Sequence, residues 1–72
     1  MNAKQCRMAR AGIGWRAKDL AEAAGVGPAT VARFELGETV ADETRAKLER
    51  ALLDGGAQFS ARSGRIGVTV PE

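Results

Sequence analysis

Few side chains in this 72-residue sequence could carry out covalent chemistry. It contains no histidine, the commonest general base and metal ligand, and a single cysteine, Cys6. The carboxylates of Asp19, Glu22 and Glu38 fall on helix or loop positions that we expect to be exposed. No nucleophile–base pair and no set of metal ligands stands at a matching spacing. We therefore expect no catalytic residues, no metal and no cofactor.

The chemistry that remains is ionic and hydrogen-bonding contact by lysine and arginine. Lys and Arg number 11 against nine Asp and Glu, which gives a net charge of +2. So mild an excess of positive charge does not by itself identify an anionic partner such as a nucleic acid. The placement of the charges must decide whether there is one. No apolar run approaches the ~18 residues of a membrane span, and no signal-peptide pattern opens the sequence. A cytoplasmic protein without a membrane partner is the default expectation.

The stretch 17–34 predicts two short helices packed tightly on each other. Gly25 ends the first helix, since it reaches a positive φ without steric cost, and Pro28 suits the first position of the second. The expected inner faces comprise Leu20, Ala21, Ala24, Val31 and Phe34. Two helices joined by a tight glycine-containing turn are the helix-turn-helix arrangement, whose second helix enters the major groove of DNA.

The flanking sequence predicts two further helices. Asn2 and Gln5 have the spacing of a capping box at the start of a first helix. The second and third helices are expected over about 16–24 and 28–36. Asp42 is the expected N-cap of a fourth helix, which the Asp-Gly-Gly sequence at 54–56 would end.

The tail has a different pattern, because residues 57–60 and 65–70 look extended around a turn at 61–64. Apolar residues alternate with Gly and Thr in the second of these segments, at Ile66, Val68 and Val70. An isolated two-stranded hairpin is marginal in water, so this one must pack on the helices or pair with a second chain. A partly frayed tail is the alternative. The predicted fold is mainly α: a compact four-helix domain over 1–56, and a hairpin or extended tail over 57–72 that could mediate dimerisation.

The sequence from Asn2 to about Leu53 resembles the Cro/repressor-type (Xre-like) helix-turn-helix regulators. The matching residues are Arg10, Gly14-Trp15, Asp19-Leu20-Ala21, Ala24-Gly25-Val26, Ala29-Thr30-Val31, Phe34-Glu35, Gly37 and Glu43-Thr44. This resemblance implies a partner in double-stranded DNA. It also implies that Arg10 pairs with Glu35. Arg10 is basic and near a helix end, so a phosphate contact is the other interpretation, and we favour the structural ion pair.

The candidate DNA-binding residues are Arg16, Ala17, Lys18, Gly27, Pro28, Ala29, Thr30, Ala32, Arg33 and Arg45. The resemblance places base-reading side chains at Pro28, Ala29 and Arg33. Pro28 and Ala29 can offer only apolar contact, for example with a thymine methyl group. Arg33 could bind a guanine edge, bind a phosphate or stay solvated. Relatives frequently carry at the position of Ala17 a glutamine that binds phosphate, which Ala17 cannot do.

These features predict a sequence-specific transcriptional regulator. The simplest version is a repressor that binds a palindromic operator as a homodimer, with the helix at 28–36 in the major groove and Ile66, Val68 and Val70 at the dimer contact. Activation is equally compatible with the sequence. The alternative is a protein-interaction module, such as an antitoxin, that binds a partner protein through its C-terminal extended segment.

Overall fold

Four helices followed by a two-stranded hairpin make up the computed structural model, which describes residues 1–72. The elements are α1 (Ala3–Ile13), α2 (Ala17–Ala24), α3 (Pro28–Glu35), α4 (Asp42–Asp54), β1 (Gln58–Arg62) and β2 (Arg65–Thr69). The predicted mainly α fold with a C-terminal hairpin is confirmed. The longest helix has 13 residues, and none is long and apolar enough to cross a membrane.

Helix ends follow the capping chemistry of the sequence in two places. The Asn2 side chain accepts a hydrogen bond from the Gln5 backbone N–H at 2.9 Å, and Gln5 Oε1 accepts one from the Asn2 N–H at 3.0 Å, so the predicted capping box is present. Gly25 ends α2 in the left-handed conformation, with φ of 72°. The tight turn between α2 and α3 therefore depends on a residue without a Cβ.

Three predicted helix boundaries are wrong by one residue. Arg16 is the N-cap of α2 and not its first residue, because its backbone is extended. Leu36 is the C-cap of α3, which ends at Glu35. Asp42 is the first residue of α4, after Ala41 as N-cap, and its carboxylate makes no capping hydrogen bond. In the first turn that carboxylate still favours the helix dipole.

The tail forms an antiparallel hairpin in which Phe59 faces Val68 and both pack against the core. β1 extends to Arg62, so the connection is a two-residue turn of Ser63 and Gly64, shorter than the predicted four. Both turn residues have positive φ, 51° and 74°, as the favoured tight hairpin turn requires. The tail is thus paired and packed on its own helices.

One buried polar side chain connects the hairpin to α1. Gln5 Nε2 donates to the carbonyl oxygens of Ser60 at 2.9 Å and Gly67 at 3.3 Å, which are partners across the two strands. Further along α1, Gly12 lies so close to Val70, the residue after β2, that a Cβ there would be 2.9 Å from Val70 Cγ2. The hairpin is therefore fixed along the length of α1.

A single apolar cluster joins all four helices and the start of the hairpin. Its buried members are Cys6, Ala9, Leu20, Ala21, Val31, Phe34, Leu48, Ala51, Leu52 and Ala57. Ala21 is buried in α2, and the small side chain allows α2 and α3 to approach closely. This cluster sets the position of α3 relative to the rest of the chain.

Candidate nucleic-acid interface

The outer side of α3 is free because only its inner stripe is used for packing. Val31 and Phe34 point into the core. The residues that the sequence assigned to the opposite side are exposed: Gly27, Pro28, Ala29, Ala32 and Arg33. Thr30 is half-buried between the two sides. α3 therefore presents one continuous exposed face, and the major groove of DNA is wide enough to admit an α-helix.

An ion pair between α1 and α3 holds the end of α3 in place. Arg10 Nε donates to Glu35 Oε2 and Arg10 Nη2 to Glu35 Oε1, both at 2.9 Å, and the third nitrogen donates to the Trp15 carbonyl at 3.1 Å. These bonds to Glu35 raise the pKa of Arg10 above its ordinary value, while burial opposes the shift. All three guanidinium nitrogens donate within the protein, which favours the structural ion pair over a phosphate contact.

Two further contacts to Glu35 complete the junction. The Cys6 thiol donates to Glu35 Oε2 at 3.3 Å, and Arg7 Nη1 donates to the Glu35 carbonyl oxygen. Burial, with this hydrogen bond second, raises the pKa of the Cys6 thiol to about 12. Cys6 is therefore a protonated donor inside the core and has none of the thiolate character of a reactive cysteine.

Arg33 is the one cation on the exposed face of α3. Its Nη2 donates to Thr30 Oγ1 at 3.3 Å, and it forms no ion pair. An arginine without a carboxylate partner keeps its bidentate donor pair available to a guanine edge or a phosphate. The remaining side chains of this face carry no charge.

A helix-turn-helix family model matches residues 7–52, more than half of the chain. The chain belongs to the Cro/repressor-type helix-turn-helix family. Membership implies sequence-specific binding to DNA. No curated protein sequence matches this chain. This helix-turn-helix domain contains no group of three His, Cys, Asp or Glu side chains that could hold a metal ion.

The cations predicted to lie near α3 differ in whether a carboxylate already binds them. Lys18 is exposed and unpaired, whereas Arg16, with a side chain 77 % exposed, lies with its Nε 3.2 Å from Asp19 Oδ2. Asp19 also accepts the Arg16 backbone N–H at 2.8 Å, and these bonds lower the pKa of Asp19. Arg45 Nη2 is 3.8 Å from Asp42 Oδ1. A phosphate would meet Lys18 directly but would compete with a carboxylate for Arg16 and Arg45.

In two groups of predicted site residues, some members pack against the core of the helix-turn-helix domain. Ala17 is half-buried and packs against the core, so its methyl group is only partly exposed to a ligand. Val68 and Val70 also pack against the core. Ile66 is half-buried but is not among the residues that pack there. Of the three residues assigned to a dimer contact, Ile66 is the freest.

Sequence reasoning omitted two residues that shape this site. Asp19 binds Arg16 and restrains it. The sequence pattern that could have predicted this contact is an N-cap residue followed three positions later by a carboxylate. Leu36 follows α3 and is 79 % exposed. Its signal was the four-residue spacing from Ala32, which places two residues on one side of a helix.

Proposed function

We propose that this helix-turn-helix protein is a transcriptional repressor that binds a palindromic operator as a homodimer, with α3 in the major groove. The observation that carries the proposal is the exposed face of α3 with its unpaired Arg33, on a helix whose inner face is buried in the core. A rigidly positioned helix with a free outer face meets the geometric requirement for base readout. Occupancy of a promoter would then exclude polymerase in the cytoplasm.

Electrostatics supports two kinds of contact. Arg33 is proposed to read a guanine through its O6 and N7 atoms, and Lys18 and the N–H groups at the start of α2 to hold the phosphate backbone. Arg16 and Arg45 would add phosphate contacts after exchanging their carboxylate partners for the DNA. Since those exchanges gain little net energy, Arg33 and Lys18 should dominate the affinity.

Exchange of Arg33 for alanine tests the base contact. Binding is measured by fluorescence anisotropy on a duplex selected from a random pool by the wild-type protein. Arg33→Ala should weaken specific binding about 5- to 150-fold, the range of one bidentate base contact, without lowering the melting temperature. Arg50→Ala is the matched control, because Arg50 is equally charged and exposed but lies on α4 beside Asp54. Equal affinity of Arg33→Ala and the wild type for the selected duplex would contradict the assignment.

The dimer is proposed to form through the hairpin, since each of its strands pairs on one side only and an edge strand is a ready template for a second chain. Removing β2 would also take Val68 out of the core, so a point change is the sharper test. Ile66→Lys should convert dimers to monomers in sedimentation velocity, whereas Thr69→Lys, on the opposite face of the same strand, should not. A dimer that survives Ile66→Lys would rule out Ile66 as a dimer contact.

The alternative is an interaction module whose tail binds another protein, such as a toxin. The packing of Phe59 and Val68 on the protein's own core favours the repressor, because a tail that waits for a partner would be left unpaired. Sedimentation of the wild type separates the two proposals. A stable dimer supports the repressor, and a monomer that acquires tight duplex binding only with a protein partner supports the module.

A further inference from the structure

Leu36 is the most exposed large apolar side chain of the protein, at 79 %. Although it is the C-cap of α3, its N–H still bonds to the Ala32 carbonyl oxygen at 3.1 Å, so the helical turn continues through it. Residues four apart lie on one side of a helix. Pro28, Ala32 and Leu36 therefore form one line along the outer side of the recognition helix.

The chemistry of this line is apolar throughout. Pro28, Ala29, Ala32 and Leu36 have no side-chain donor or acceptor, and Arg33 is the only exposed group on that face with hydrogen-bonding capacity towards a base. In the major groove, base pairs differ by their donors and acceptors and by one apolar group, the C5 methyl of thymine. Apart from Arg33, this face can therefore discriminate between base pairs only through that methyl group.

We propose that the recognition helix reads pyrimidine C5 methyl groups, and that Leu36 is a specificity-determining residue for this readout. The target would be a thymine, or a 5-methylcytosine, which presents the same methyl group at the same position of the groove. This inference rests on the proposed function and adds the chemical class of base that α3 selects. Arg33 supplies one polar base contact, and the apolar line supplies the remaining contacts that discriminate between bases.

Charge favours DNA over a protein as the occupant of this apolar face. Arg33 interrupts it without a carboxylate partner, and Lys18 is exposed and unpaired on α2, the other helix of the helix-turn-helix pair. No acidic residue lies in the first turn of α3. An apolar line with the unpaired Arg33 beside it matches a groove that has methyl groups on its floor and phosphates on its walls.

The test removes methyl groups from the DNA. In a duplex selected by the wild-type protein, each thymine is replaced in turn by uracil, which keeps every donor and acceptor and loses only the methyl. We expect two or more positions at which the wild type binds about fourfold more weakly, the value of burying one such carbon. Cytosine in place of a contacted thymine should weaken binding, and 5-methylation of that cytosine should recover about fourfold.

Variants assign the methyl contact to Leu36. Leu36→Ala should abolish the uracil penalty at one thymine position, lower affinity for the intact duplex by a similar factor and leave the melting temperature unchanged. Leu53→Ala is the matched control, since Leu53 is also an exposed leucine, at 41 %, but lies on α4. It should retain every uracil penalty.

Two results would overturn the inference. If all thymines tolerate uracil and Leu36→Ala binds as the wild type does, the apolar line makes no base contact, and Leu36 is left as a contact for another protein. If the wild type selects no duplex at all, the proposed function fails and the inference with it. Whether the wild type selects a duplex from the random pool therefore distinguishes failure of the proposed function from failure of the methyl readout alone.

Discussion

Replacing Arg10 by methionine is predicted to unfold most of the protein in buffer at 25 °C. The Glu35 carboxylate is buried, with a side chain 9 % exposed, and receives both of its charge-assisted hydrogen bonds from Arg10. Breaking a buried pair by removing one partner costs about 3–5 kcal/mol, because the other charge stays desolvated without compensation. The lost bond to the Trp15 carbonyl adds about 1 kcal/mol. A core of this size rarely contributes more than ~3–5 kcal/mol of net stability. The predicted loss is therefore as large as the whole free energy of unfolding, or larger.

Urea titration followed by far-UV circular dichroism measures this effect. With a slope of about 1 kcal/mol per molar urea, the wild type should unfold at roughly 3–5 M, whereas Arg10→Met should show little folded signal even without urea. The double variant Arg10→Met/Glu35→Leu should recover most of the loss, since removing both charges leaves no unpaired carboxylate. An Arg10→Met midpoint within about 0.5 M of the wild type would refute the reasoning.

The same pair of variants separates a structural role from a DNA contact. If Arg10 acts only by holding α3, the refolded double variant should bind the selected duplex as the wild type does. A double variant that folds normally but binds the duplex at least tenfold more weakly would show that the guanidinium itself contacts phosphate.

Three further predictions concern stability. Folding raises the pKa of Cys6 from its ordinary value of 9.0 to about 12. The protonated thiol therefore contributes fully to the free energy of unfolding below pH 9, and this contribution is lost as the pH rises towards 12. The urea midpoint of the wild type should fall more between pH 8 and 10 than that of Cys6→Ser. Gly56→Ala should destabilise the protein by ~1–3 kcal/mol in thermal melts, because φ is 101° and a Cβ would lie 2.5 Å from Pro71 Cγ. Asn2→Ala should remove the cap of α1 at a cost of ~1 kcal/mol by the same assay.

Local sequence rules predicted the helices because their determinants are local. The glycine after α2, the proline at the start of α3 and the Asn2–Gln5 capping box each act within a few residues. The boundaries at Arg16 and Asp42 were misplaced by one position, since polar residues suit both an N-cap and a first turn. Periodicity specifies which face of a helix is buried, whereas a boundary depends on one backbone torsion.

Contacts between segments that are distant in the sequence were harder to predict. The resemblance implied the pairing of Arg10 with Glu35, but no local pattern predicts that Cys6 also donates to that carboxylate. Gln5 was expected only as part of a capping box. Its burial depends on two carbonyl oxygens 55 and 62 residues further along the chain, and such a contact exists only after the hairpin has docked.

The double use of Gln5 has a consequence for how the molecule opens. One end of its amide caps the first helix and the other holds both strands, so detaching the hairpin strips α1 of part of its packing, and fraying α1 releases the hairpin. Amide hydrogens in β1 and β2 should then exchange with solvent at rates that follow those of α1. A segment that looks like an appendage in the sequence behaves as part of one cooperative unit.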